Sequence, residues 1–211
     1  MANTYFPWVL RAYRKDHPDI ELTLHEMAAS EQVQALERGE LDIGLVRLPI
    51  QSANVASVLA ISEPFVVAFP NRHRLALRAR VALGSLADEP FIMVPKRYGG
   101  QYYDQVMGLC RRAGFNPRVT QEVHQIHTAI GLVSAGLGVT LVPASMQLIR
   151  IPHVQFRPLK ERAAKTEIAV AWHASNSEPI VHKFVEVART VISRGISGMR
   201  TGKSGAVVRD D

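Results

Sequence analysis

The chain has 211 residues, a formal charge of +6, and 47% hydrophobic against 21% charged residues, a globular composition with enough apolar material for a sizeable core. Its apolar runs fall short of the ~18 residues that a membrane span needs. The N-terminus lacks the basic start and apolar stretch of a secretory signal, and a single cysteine, Cys110, excludes an internal disulfide framework.

A reducing cytoplasm is the simplest home for such a chain. The positive residues are scattered. The densest stretch, Arg72 through Arg80, reads as a solvated loop rather than a nucleic-acid footprint.

Phe6, Val9, Leu10 and Tyr13 recur at helical spacing and predict a first helix, capped by Asn3 or Thr4 and ended by Pro18. Ile20 to Leu24 alternates with period two and predicts a strand. Ser30 is placed as the cap of a second helix, which carries Val33 and Leu36 and stops at Gly39. A short apolar strand follows at Asp42 to Val46. This order suggests parallel βαβ architecture. One oddity stands out: the first helix has no strand before it, where a doubly wound sheet normally places a central one.

Strands are expected at Val55 to Ile61 and Pro64 to Phe69. A new unit opens with Pro90 to Pro95, a strand without alternation and therefore buried on both faces. The loop Lys96 to Gly100 leads into a helix from Gln101 to Ala113. A strand at Val119 to Val123, a helix at Ile126 to Ala135 and a strand at Val139 to Val142 follow. Then come a short helix, Val154 to Phe156, the strand Glu167 to Trp172, and an amphipathic helix from Pro179 to Ser193. From Gly195 onward Gly, Ser, Arg and Asp dominate, which reads as a disordered tail over 195–211.

The elements divide into an α/β lobe I over 1–62 and 171–194 and a lobe II over 63–170. A cleft between two such lobes, crossed twice by the chain, is a natural ligand site.

Catalytic motifs do not match. The chain has neither a phosphate loop nor a Gly-x-Ser-x-Gly elbow, and Gly131, Gly136 and Gly138 sit on and after a helix rather than between strand and helix. His124 and His127 could share a helix face, but no Cys or carboxylate matches their spacing. They read as polar cap or pocket lining, and neither a metal nor a cofactor is expected. Cys110 reads as a small buried hydrophobe. An enzyme is the weakest of the readings.

Strand-to-helix junctions offer unpaired N–H groups at the positive end of a helix, and a small carboxylate is expected to bind there. Four junctions qualify: Asn3–Thr4, Ala29–Ser30, Pro95 to Gln101 through Lys96, Gly99 and Gly100, and Gln125 to Thr128. Arg47 stands just past a strand, and Tyr102 begins a helix. Each also has a plain reading, as helix cap, tight turn, surface cation or core ring; the convergence of several carries the argument.

Three stretches carry a recognisable pattern. They are Tyr13-Arg14-Lys15-Asp16-His17-Pro18-Asp19-Ile20-Glu21-Leu22, the run Leu36 to Leu45, and the run Gly131 to Pro143. In this order they resemble the effector-binding domain of LysR-type transcription regulators, from about residue 3 to 193. The resemblance implies two Rossmann-like lobes of the type 2 periplasmic-binding-protein kind, joined by two crossover strands. It implies an inducer in the interlobe cleft, at positions matching Asn3, Thr4, Ala29, Ser30, Arg47, Pro95 to Tyr102, His127 and Thr128. The stretch Gln125 to Ser145, with Arg47, resembles regulators of aromatic-compound breakdown, which sense benzoate- or muconate-like carboxylates.

Two departures accompany the resemblance. The family's N-terminal DNA-binding helices are missing, so this chain would reach DNA only through that domain, as a homo-oligomer. The first strand of lobe I is missing too, which suggests a shortened chain or a start assigned late at Met1. A solute-binding transport protein of the same fold is the rival reading.

Overall fold

The computed structural model describes residues 6–200, with side chains described through Ser193. Asn3 and Thr4 lie outside the described residues.

The first helix, α1 (Phe6–Asp16), turns Val9 and Tyr13 inward. They pack on the last helix, α6 (Pro179–Arg200), where the Tyr13 ring meets Phe184 edge-on at 4.9 Å and its hydroxyl donates to the Ile180 carbonyl at 3.2 Å. Ile20 to Leu24 forms no strand. Its alternation is real, but a strand requires a ladder neighbour for its backbone groups, and none lies beside it among the described residues. Ile20 is 38% and Leu24 58% exposed, while Leu22 alone of the three packs inward.

Helix α2 (Ala29–Glu37) begins two residues earlier than a cap at Ser30 implies. Ala28 is its N-cap, and the Glu31 carboxylate accepts from the Ala28 N–H at 2.9 Å. Ser30 therefore sits inside the first turn, because Glu31 three residues past the cap supplies the acceptor instead.

Strand β1 (Gly44–Arg47) follows, then β2 (Val55–Pro70), a single 16-residue strand where two were expected. Pro64 does not break it, because the missing N–H falls where the ladder changes partner. Val55 to Pro64 pairs antiparallel with β7 (Lys165–His173), whereas Phe65 to Ala68 pairs with β5 (Thr140–Pro143) and Val66 to Pro70 with β6 (Val154–Pro158).

In lobe I, β7 is flanked by β1 and β2, both antiparallel. The parallel architecture expected from the sequence is found instead in lobe II. There β3 (Pro90–Met93) runs parallel to β4 (Arg118–Glu122), and Phe91 bridges in parallel to Val139 at the head of β5. Three helices complete that lobe: the short α3 (Lys96–Gly99), α4 (Gln101–Arg112) and α5 (Ile126–Ser134).

Each lobe has its own core. In lobe I, α1 and α6 cover Ile61, Ile168 and Val170 on one sheet face, and Leu36 of α2 meets Val46, Val55 and Ala171 on the other. In lobe II a larger cluster joins Phe65, Phe69, Phe91, Val106 and Leu141, and Ile130 with Val66 and Val142 fills the opposite face. Cys110 belongs to the larger cluster, and burial pushes its thiol up to about 12, in keeping with an inert packing role. The divisions expected at 62/63 and 170/171 fall inside β2 and β7. Both strands run through the crossing, and β7 already contributes Ile168 to the core of lobe I. Helix α6 continues to Arg200, so its last turns occupy the start of the stretch read as a disordered tail; residues 201–211 lie outside the described residues.

Gly138 makes the join between β3 and β5 possible. Its φ is +154°, and a Cβ there would lie 2.4 Å from the Pro90 carbonyl oxygen. Gly138→Ala is expected to destabilise the chain by about 2–4 kcal/mol, since backbone must shift and a strained conformation must be held. Urea denaturation should show a lowered midpoint at unchanged slope.

Candidate functional site

A hollow of about 1130 Å³ opens between the lobes and extends along lobe I. Its interlobe part is walled by Arg47 of β1, by Val94, Tyr98, Gly99 and Tyr102 around α3 and α4, by His124 to His127 at the start of α5, and by Met146. Its lobe I part is walled by Phe6, Leu10, Leu22 to Met27, Leu41 to Ile43, Leu45 and Phe184.

Arg47 is the central cation. Its guanidinium donates through Nη1 to Thr166 Oγ1 and stands 5.6 Å from the centre of the Tyr102 ring. Burial lowers its pKa, opposed by Tyr102 and Glu63. No carboxylate among the described residues comes within ion-pair distance of it. Tyr102 is 4% exposed, donates its hydroxyl to the Leu141 carbonyl, and is pushed up to about 12 by burial. Its ring is therefore a fixed, neutral wall beneath the guanidinium.

Behind Arg47 lies Glu63, 3% exposed. It accepts from the Ser145 N–H at 2.5 Å and from the Ser145 hydroxyl at 2.9 Å. Burial raises its pKa, and the Ser145 hydrogen bonds and the Arg47 charge pull it back in part. Across the β2–β7 ladder Glu63 stands opposite Thr166, the residue that holds Arg47.

The rim carries rings. The Tyr98 and His124 rings meet at 4.1 Å between centroids, tilted by 36°, and Arg97 lies 5.1 Å over Tyr98 while pairing with Glu122 at 2.9 Å. At the start of α5 the Gln125 side chain makes no capping hydrogen bond; its Nε2 reaches across to Glu26 Oε1 at 3.2 Å. The first-turn amides of α5 are thus left without a side-chain acceptor.

Of the residues expected from the sequence, Arg47, Gly99, Tyr102 and His127 share the hollow. Ala29 and Ser30 do not line it, although Met27 and Gln32 on either side do. Pro95 and Lys96 do not line it either, and Lys96 is exposed and paired with Asp104 at 3.1 Å. Thr128 is exposed and turned away from the lining, one residue past His127 on α5. Sequence reasoning missed Glu63, Ser145 and Thr166. A carboxylate inside the apolar run Ile61 to Phe69 was the available signal. It also missed Gln105, which with Gln101 at the end of the predicted Pro95 to Gln101 junction donates across the lobes to the Leu48 and Pro49 carbonyls respectively.

The LysR substrate binding domain family matches residues 1–193. The HTH-type transcriptional regulator YnfL of Escherichia coli is 37% identical over 163 residues, covering 77% of this chain and 55% of its own length. The HTH-type transcriptional regulator AlsR of Bacillus subtilis is 32% identical over 184 residues, covering 87% and 61%. The crystal structure of the BenM effector binding domain with its effector benzoate superposes with a TM-score of 0.80 at 28% identity, over 97% of this chain and 90% of that one. The chain belongs to the LysR substrate-binding domain family and has its two-lobed, periplasmic-binding-protein-like fold. It spans between 55% and 61% of the length of these two regulators.

The buried Glu63 makes stability depend on pH with a definite sign. Its carboxyl holds a proton more tightly folded than unfolded, so folding is favoured below the ordinary value of 4.5. That contribution is lost as pH rises above 4.5 through the raised folded value. Glu63→Gln keeps an acceptor for Ser145 but removes the titration. Urea midpoints measured from pH 4.5 to pH 8 should fall less steeply in the variant than in the parent chain.

Proposed function

We propose that this domain binds a small carboxylate in the interlobe part of the hollow, and that binding selects one angle between the lobes. The observation that carries the proposal is the unpaired Arg47 guanidinium. A partly desolvated guanidinium with no carboxylate at ion-pair distance among the described residues is unfavourable, and a ligand carboxylate entering beside it would offset that cost. The first-turn amides of α5 supply a second anion-favouring surface on the other lobe. Between them, Tyr102, Tyr98 and His124 present rings suited to a planar acid. A benzoate- or muconate-like ligand fits this combination of cation, amides and rings.

A ligand held from both lobes shifts their arrangement by its differential affinity for the two states. In the full-length protein that shift would pass through a homo-oligomer to an N-terminal DNA-binding domain, as an effector-controlled transcription switch. Transport of a solute by the same fold is the weaker reading, because the relatives named above are transcription regulators.

A thermal-shift screen of aromatic and dicarboxylic acids, each with its neutral amide as control, tests the proposal. At about 100 times its Kd an acid should stabilise the chain by about 2.7 kcal/mol, and the matched amide should do much less. Arg47→Met removes the charge at similar volume and should weaken binding by tenfold or more, about 1.4 kcal/mol, with circular dichroism unchanged. An equal shift from acid and amide, or full retention in Arg47→Met, would refute the carboxylate site.

A further inference from the structure

The two residues that follow Arg47 in the chain, Leu48 and Pro49, meet α4 of the other lobe. Gln105 donates through Nε2 to the Leu48 carbonyl at 3.3 Å, and Gln101 donates through Nε2 to the Pro49 carbonyl. The two glutamines stand one helical turn apart on α4 and so are neighbours on its surface. Between them in the chain is Tyr102, whose ring lies under the Arg47 guanidinium. One turn of α4 therefore holds three consecutive residues of lobe I, Arg47 by its side chain and Leu48 and Pro49 by their carbonyls.

Gln101, Gln105, Leu48 and Pro49 all stand outside the lining of the hollow. Gln105, Leu48 and Pro49 wall instead a separate recess of about 660 Å³, with Ile50 and Val55. The grip is thus made behind the ligand region. It is also incomplete. The Oε1 atoms of Gln101 and Gln105 are both buried, and neither has a hydrogen-bond partner among the described residues. A buried amide oxygen without a donor has lost the hydration it had in water. Each glutamine therefore gains one hydrogen bond and forfeits another, and movement of α4 away from lobe I would return both oxygens to water. Held by two donors and opposed by two bare acceptors, the contact is suited to two positions, shut and released.

We propose that Gln101 and Gln105 are positioning residues for the Arg47 site, a latch that sets the cation over its ring. Shut, the pair fixes the backbone just past Arg47 to the helix that carries Tyr102. Released, Arg47 moves with lobe I and Tyr102 with lobe II, and a planar acid no longer finds the two together. The inference rests on the carboxylate reading of that site and adds the device that sets its geometry. A domain whose binding-competent state is only partly populated shows an affinity reduced by that fraction. The latch thus controls how tightly the acid is held without touching it.

The test replaces both glutamines by methionine, which keeps the length and removes donor and bare acceptor together. Nitroxide labels on Gln34→Cys in lobe I and Arg118→Cys in lobe II, both exposed positions, report the distance between the lobes. The buried Cys110 stays unlabelled. Without ligand, the distance distribution of the methionine chain should broaden or move against the parent, and saturating benzoate should bring it back. Calorimetry should show benzoate bound about fivefold or more weakly, in step with the shut population lost. Gln105→Asn keeps the amide but is one methylene shorter. It should show the same changes in smaller degree, and it carries the test if the double variant does not fold. A melting temperature that falls while distance and affinity stay parental shows a merely structural role and overturns the proposal. So does a changed affinity at an unchanged distance. Absence of acid binding in the parent chain counts against the Arg47 reading; the ligand-free distances then decide the latch on their own, unchanged distances overturning it.

Discussion

A single run of polar contacts holds the two lobes in register where β2 and β7 cross between them. Arg47 on β1 bonds to Thr166 on β7, Thr166 stands opposite Glu63 on β2, and Glu63 takes both hydrogen bonds that Ser145 offers from the end of β5. Tyr102 closes the set from α4, its ring under the guanidinium and its hydroxyl on β5. Each group is buried or half-buried, so each depends on its neighbours for the polar contacts that water would otherwise give. A change in lobe angle must stretch or re-form these contacts. The residue that faces the hollow, Arg47, is thus the same one that is tied to the strands crossing between the lobes.

Much of the fold was legible because the chain writes it in local pattern. Glycine after the last apolar turn marked the ends of α2, α4 and α5, each followed by a positive-φ glycine at Gly39, Gly114 and Gly136, the conformation that ends a helix without steric cost. Continuous apolar runs marked β3, β5 and the second half of β2, which are covered on both faces. Where the pattern misled, a non-local partner decided. Ile20 to Leu24 alternates as a strand should, yet a strand is a property of a pair. Pro64 read as a break because its missing N–H was weighed without knowing that the ladder changes partner there.

The site was less legible than the fold for a related reason. Of the residues that junction reasoning named, Arg47, Gly99, Tyr102 and His127 line the hollow, because strand ends and helix starts of a layered α/β fold gather on one side. Ser30 and Thr128, which it also named, do not line the hollow, since a sequence shows that a residue lies in a first helical turn but not which way it faces. On α5 a single step of about 100° separates His127, which lines the hollow, from Thr128, which does not. It could not find Glu63 or Thr166, whose importance lies in standing opposite each other across a ladder formed by residues a hundred positions apart in the chain.

The size of the hollow gains its meaning from the same distinction between local and paired structure. At about 1130 Å³ it exceeds the ~300–1,000 Å³ of ordinary ligand pockets, and a benzoate-sized acid would fill a small part of it. Dividing it by the chemistry of its walls resolves the excess. Where side chains supply a cation, rings and a helix start, a small planar anion is well matched. Along β1 the wall is a strand edge that pairs with no strand among the described residues, lined by apolar side chains. Gln32 bridges β1 to the segment before α2, accepting from the Leu45 N–H and donating to the Met27 carbonyl, and so closes the lobe I side of the hollow two residues away from Arg47 on the same strand.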